Sequence, residues 1–200
     1  MKNVHEPTYS FVILTLVLIV VNTIIARLCV IALPGGIALP GGAAGVSTLY
    51  FAVAFMILFT LWFGAYGAIA AYAGTLIGSG LLNPAIPPVV AIYWSIAGLL
   101  QVLIPLVAFR TFKVDLTLEN RRDWTLLLLF GVLINNIVGA AWGALTLAFG
   151  NVITASQVGS VFTLWLIGNI IVTIIIVPLA LRHLTPKVQK SKLFVRYYWD

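Results

Sequence analysis

The chain has 200 residues, 62% of them hydrophobic and only 8% charged, with a mean hydropathy of +1.13 and a formal net charge of +6. A soluble domain carries roughly a quarter charged residues, so these values exclude a soluble fold and a soluble catalytic unit and indicate an integral membrane protein. The cations flank apolar runs, where positive-inside bias accounts for them without nucleic acid, and Cys29 as sole cysteine excludes a disulfide framework or a thiolate metal site.

The first apolar run, "SFVILTLVLIVVNTII", outlasts a signal-peptide core, and no A-x-A-like site follows it. It is expected to stay as a transmembrane helix. Six apolar spans can be drawn at 9–28, 47–63, 65–82, 87–109, 123–149 and 158–181, each near the ~20 residues needed to cross hydrocarbon. The second and third are divided at Gly64 and Gly67, because one span cannot hold the whole apolar stretch. The expected fold class is all-α integral membrane, a six-transmembrane-helix bundle forming a single membrane domain over 1–200.

Between Pro7 and Phe109 the only charged residue is Arg27. The loop 110–122 carries Arg110, Lys113, Arg121 and Arg122, and the tail 182–200 carries Arg182, Lys187, Lys190, Lys192 and Arg196. The connections at 29–46, 83–86 and 150–157 carry no charge. Six spans would put the N-terminus, the 110–122 loop and the basic tail together on the cytoplasmic side. His5 and His183 fall in such flanking segments and read as solvated side chains.

The uncharged connection 29–46 contains "IALPGGIALPGG", a hexapeptide written twice. Pro34 and Pro40 cannot continue a helix, and Gly35, Gly36, Gly41 and Gly42 permit conformations other residues avoid. The interleaved apolar residues suggest a re-entrant or lid-like gating loop over the outer mouth of the bundle. The alternative is a tight structural connection with an accidental duplication.

Apart from Asp123 at the very edge of the fifth span, no Asp or Glu lies inside any span, so no carboxylate at mid-depth is available for proton or sodium coupling. No histidine cluster and no Ser/His/Asp set occurs at membrane depth, and neither an enzyme nor a metal or other cofactor is expected. Amides recur at mid-depth instead: Asn22, Gln101, Asn135, Asn136 and Asn169. They read either as interhelical hydrogen bonds or as the lining of a cavity for a neutral or zwitterionic solute.

Helical spacing favours the cavity. Trp165, Asn169 and Thr173 step by four on the sixth span; Tyr93, Ala97 and Gln101 do so on the fourth, with Trp94 one position round. Trp142 and Thr146 lie outward of Asn136. Aromatic walls over a few amides suit a planar ligand, whereas an interfacial aromatic belt is the competing account, above all for Trp94. Arg27 either snorkels to the interface or holds an anionic group of the ligand. The third span carries a ladder of small residues, Gly67, Ala71, Gly74, Thr75 and Gly78, suited to close packing within the bundle or against a partner.

The glycine-rich outer connection together with "FGAYGAIAAYAGTLIGSGLL" resembles the substrate-binding S-components of energy-coupling factor transporters. "AIYWSIAGLLQVLIPLVAFRTFKVDLTLENRRDW" and "FTLWLIGNIIVTIIIVPLALRHLTP" are similar to membrane-associated sensor domains of histidine kinases and diguanylate cyclases. The first resemblance implies capture of a vitamin-like or other small metabolite, a lid between the first two helices, and uptake powered by a membrane coupling subunit and ATPases. The Ala-xxx-Ala pattern often used for docking in that family is absent from "SFVILTLVLIVVNTIIARL". The second resemblance implies a sensor module working with a separate output protein. A non-catalytic accessory subunit of a larger membrane complex is the remaining alternative. The expected ligand set is Trp94, Gln101, Asn136, Trp142, Trp165 and Asn169, with Arg27 and the loop glycines at the lid. Expected partners are this solute, membrane lipid and the coupling proteins.

Overall fold

The computed structural model describes residues 8–32, 47 and 49–199. The doubled hexapeptide's Pro34, Gly35, Gly36, Pro40, Gly41 and Gly42 lie outside the described residues, as does His5. The long elements of the described chain are helices: α1 (Tyr9–Ala32), α2 (Ala52–Phe63), α3 (Ala65–Thr75) continuing as a π-helical turn (Leu76–Leu81), α4 (Pro88–Trp94), α5 (Ile96–Phe112), α6 (Arg121–Leu126), a second π-helical stretch (Leu127–Ile134), α7 (Asn135–Phe149) and α8 (Val158–Val188).

Six membrane-crossing helices are not found. Among the described residues four helical segments are long and apolar enough to cross: Tyr9–Ala32, Pro88–Phe112, Arg121–Phe149 and Ala155–Val188. The protein is therefore a multi-pass, all-α membrane protein, with the expected second and third spans corrected. At 1.5 Å per residue the 12-residue α2 is about 18 Å long, well short of a ~30 Å hydrocarbon core. Its sequence is apolar on every side for another reason: nine of its residues are buried inside the bundle, as expected of a helix wrapped by others. Gly64 ends it at φ +60°, ψ −135°, a conformation that side chains resist.

The third helix packs along α1 through its small residues. A methyl group on Gly74 would stand 2.5 Å from Asn22 Nδ2, and one on Gly78 would stand 2.5 Å from the Thr23 carbonyl oxygen. Gly67 meets the backbone of Phe59 on α2 in the same way, Ala71 is buried, and Thr75 Oγ1 donates to Met56 Sδ at 3.6 Å. The ladder is thus occupied inside the molecule. The rest of α1 faces outward, with Ile13, Val17, Val20, Ile24 and Leu28 exposed as a lipid-facing stripe.

Buried side chains form two apolar clusters. One surrounds α2 and includes Ile57, Leu61, Val102, Phe109, Val172 and Leu181. The other joins Trp94, Ala97, Ala140, Ala144, Val161 and Trp165. On α5, on α8, and on α7 together with the π-helical stretch that leads into it, the amides Gln101, Asn169 and Asn136 fall between the two.

The cationic loop and tail meet at one end. Arg110 donates to the carbonyls of Val195 (2.6 Å), Leu61 (3.2 Å) and Arg196. Val195 N donates to the Trp62 carbonyl at 2.9 Å and Ala65 N to the Tyr198 carbonyl at 3.0 Å, so the tail closes the break at Gly64. Tyr66 stacks on Phe11 and meets Trp199 edge-on.

Candidate functional site: a buried aromatic cavity above an amide layer

Pro105 interrupts the hydrogen-bond ladder of α5, because it has no N–H to give to the carbonyl four residues back. That carbonyl belongs to Gln101, and Asn135 Nδ2 donates to it at 3.3 Å. Proline and amide therefore act as a pair, keeping a buried backbone acceptor satisfied. The Gln101 side chain then extends the network: Nε2 donates to Asn136 Oδ1 at 2.9 Å. Asn136 Nδ2 donates to Thr173 Oγ1 (3.0 Å) and to the Val132 carbonyl (2.8 Å), and Thr173 Oγ1 donates to the Asn169 carbonyl (2.7 Å). Three helices are tied at one level by groups that would each cost a few kcal/mol if buried alone.

Toward the end remote from the cationic loop, this layer is capped by a cavity of about 20 Å³. Its walls are Val30, Ser47, Tyr50, Thr75, Ser79, Trp94, Gly98, Gln101 and Trp165. Trp94 and Trp165 meet edge-to-face with ring centroids 5.5 Å apart. Glycines of α7 make room for what faces them. A methyl on Gly139 would stand 2.3 Å from Gln101 Cγ, and one on Gly143 would stand 2.3 Å from Trp165 Cζ3. Tyr50, in the irregular segment before α2, closes the cavity with its hydroxyl 3.1 Å from Ser79 Oγ. Burial pushes the Tyr50 phenol up to about 12, against the opposite pull of Ser79.

The indole N–H groups of Trp94 and Trp165 are buried with no hydrogen-bond partner among the described residues. So are Asn169 Nδ2, Asn135 Oδ1 and Asn22 Oδ1. Buried indole N–H groups usually find an acceptor. Two without one, in walls of the same cavity, are the feature that marks it as a site. The π-helical segments fall beside it: Leu76–Leu81 supplies Ser79, and Leu127–Ile134 leads directly into Asn135.

Of the residues expected from the sequence, the structure gathers Trp94, Gln101 and Trp165 at the cavity and places Asn136 and Asn169 directly beneath. Trp142 lies elsewhere, on the outer surface at 39% exposure, donating to the Tyr93 carbonyl at 2.8 Å. Arg27 is partly buried on α1 and does not wall the cavity. Asn22 binds the Ala70 and Ala71 carbonyls at 3.3 and 3.4 Å and joins α1 to α3. Trp62 packs inside, donating to Thr185 Oγ1 at 3.0 Å. On α4 and α5 the cavity face is Trp94, Gly98 and Gln101; of the Tyr93, Ala97 and Gln101 series, Ala97 is buried beside that face in the second apolar cluster and Tyr93 is exposed.

Tyr50, Ser79 and Gly98 are cavity residues that sequence reasoning missed as site residues. Gly98 could have been found, since it lies four residues after Trp94 and three before Gln101 on one helical face. No local signal marks Tyr50, whose partner is 29 residues away. Among the described residues no group of three or more metal-ligating side chains occurs. No protein-family model, no curated protein and no solved structure matches the chain.

Proposed function

We propose that the protein is a substrate-binding membrane subunit that captures a small organic solute in the Trp94–Trp165 cavity, for uptake powered by partner subunits. The observation that carries this reading is the pair of buried, unpartnered indole donors in the walls of one cavity. An unmade hydrogen bond there costs about 1–3 kcal/mol per group, and a ligand acceptor would recover it. The uncharged walls support a binding role over ion-coupled transport, so energy would come from ATPases and a membrane coupling partner. In this reading the cationic end, with the tail and the 110–122 loop, faces the cytoplasm, in keeping with positive-inside bias. The cavity lies at the opposite, outer end, and the doubled hexapeptide joins α1 to the segment that closes it.

A second reading is favoured by the cavity's size. At about 20 Å³ it holds one water molecule, and the amide layer beneath it is internally bonded. On that basis the protein is a non-catalytic accessory subunit of a larger complex, with its amides joining helices. Purification from the native host in mild detergent, with mass spectrometry of co-purifying proteins and small molecules, separates the two. ATPases together with a metabolite retained by the protein support capture. A large enzyme complex with no ATPase and no metabolite supports the accessory role.

A further inference from the structure

The chemistry left unsatisfied in the cavity specifies its ligand more narrowly than its shape does. Most polar groups in the walls are already engaged: Tyr50 with Ser79, Thr75 with Met56 Sδ, and Gln101 Nε2 with Asn136 Oδ1. Ser47 Oγ is engaged too, donating to the Leu49 carbonyl at 3.0 Å. Among the described wall residues, the buried polar atoms left with no partner are both donors, the N–H groups of Trp94 and Trp165. Both side chains are more than nine-tenths buried, at 6% and 7% exposure. Among the described residues no wall residue carries a charge, and Arg27 stands outside the wall. A carboxylate or phosphate brought here would lose its hydration without gaining a counter-charge. Two indole rings set edge-to-face at 67° offer one stacking surface and one edge to a flat guest.

We propose that the cavity selects an uncharged, planar heterocycle bearing at least two hydrogen-bond acceptors, such as ring carbonyl oxygens. This assignment rests on the capture reading above. A single ring is larger than the cavity in its present form, so the wall must yield to admit it. The wall segment that belongs to no helix is the one carrying Ser47 and Tyr50, and the bond from Tyr50 to Ser79 is its tie to the π-helical turn. Opening that bond admits the guest, and the indole donors then acquire acceptors.

The test is binding of uracil and of lumazine, both neutral planar diones, to the purified full-length protein in lipid nanodiscs at neutral pH, read by calorimetry and tryptophan fluorescence. Orotate, which adds a carboxylate to uracil, and dihydrouracil, which loses planarity, are the matched controls. The expected result is binding of uracil or lumazine, with orotate weaker by about tenfold or more because its carboxylate is desolvated without a counter-charge, and dihydrouracil weaker by about tenfold because it stacks less well on the indoles. Trp94→Phe and Trp165→Phe should each weaken the dione by about tenfold while retaining a ring. Equal or tighter binding of orotate overturns the assignment using unmodified protein alone, whatever the variants do. A charged or acceptor-free metabolite retained from the native host overturns the assignment while leaving capture intact. If no dione binds and no metabolite is retained, the capture reading falls and the assignment with it.

Discussion

Gly143 on α7 sits so close beneath Trp165 on α8 that a methyl group there would stand 2.3 Å from Cζ3 and 2.4 Å from Cη2 of the indole. The α7 glycines Gly139 and Gly143 thus seat cavity walls as much as they allow a helix contact. Gly143→Ala is expected to displace the ring and to destabilise the protein by about 1–3 kcal/mol, the usual cost of overpacking. Thermal unfolding in detergent and a shift in tryptophan emission would show it. An unchanged emission spectrum would mean that Trp165 is not seated against Gly143.

Asn135 and Pro105 should be energetically coupled. Asn135→Leu leaves the Gln101 carbonyl buried without its donor, at about 1–3 kcal/mol. Pro105→Ala restores a backbone N–H four residues along and supplies that carbonyl from within the helix. The double variant is therefore expected to recover much of the loss. Additive losses in a double-mutant cycle would show that the two residues do not share this acceptor.

Gly64 is the hinge between α2 and α3. At φ +60° a side chain is strained, and a methyl group would stand 2.3 Å from the Tyr198 carbonyl oxygen. Gly64→Ala should destabilise the protein by at least about 1–3 kcal/mol and loosen the tail, which limited proteolysis at 191–199 would detect. Protection equal to the parent protein would argue that the tail is held independently of this break.

Tyr50 gives a pH signature with a defined sign. Its phenol is pushed up to about 12 in the folded protein from an ordinary value of 10. The folded state keeps a proton that the unfolded chain releases, so stability is fully present below pH 10 and falls as pH rises from there through about 12. The melting-temperature difference between parent and Tyr50→Phe should therefore drop between about pH 9 and about pH 11. A constant difference would mean that the Tyr50 phenol is not desolvated in the folded protein.

Trp142 separates the pocket from the aromatic belt. Exposed at 39% and with its indole N–H donating to the Tyr93 carbonyl, it should contribute about 1 kcal/mol to stability through that bond and nothing to solute binding. Trp142→Phe with unchanged binding, measured beside Trp94→Phe, is the expected result. A binding loss at Trp142 equal to that at Trp94 would move the site to the outer surface.

Composition by itself determined that this is a membrane protein, and charge placement marked which loops gather at one end; Arg110 and the tail do meet there. The amides were also legible as positions that need buried partners, because a polar side chain in an apolar helix stands out wherever it is, and all five are buried. Phase and crossing number were not. In water the polar face of a helix reveals its inner face, but lipid is as apolar as a protein core. Hydropathy therefore could not tell the buried Trp94 from the exposed Tyr93 beside it, nor show that Trp142 points outward. For the same reason α2 looked like a span: its uniform apolarity reflects enclosure by neighbouring helices, and only packing around a 12-residue helix ended by Gly64 decides that. The contacts that close the cavity, Tyr50 with Ser79 and Trp94 with Trp165, join residues 29 and 71 positions apart. Only the tertiary fold brings such groups within reach.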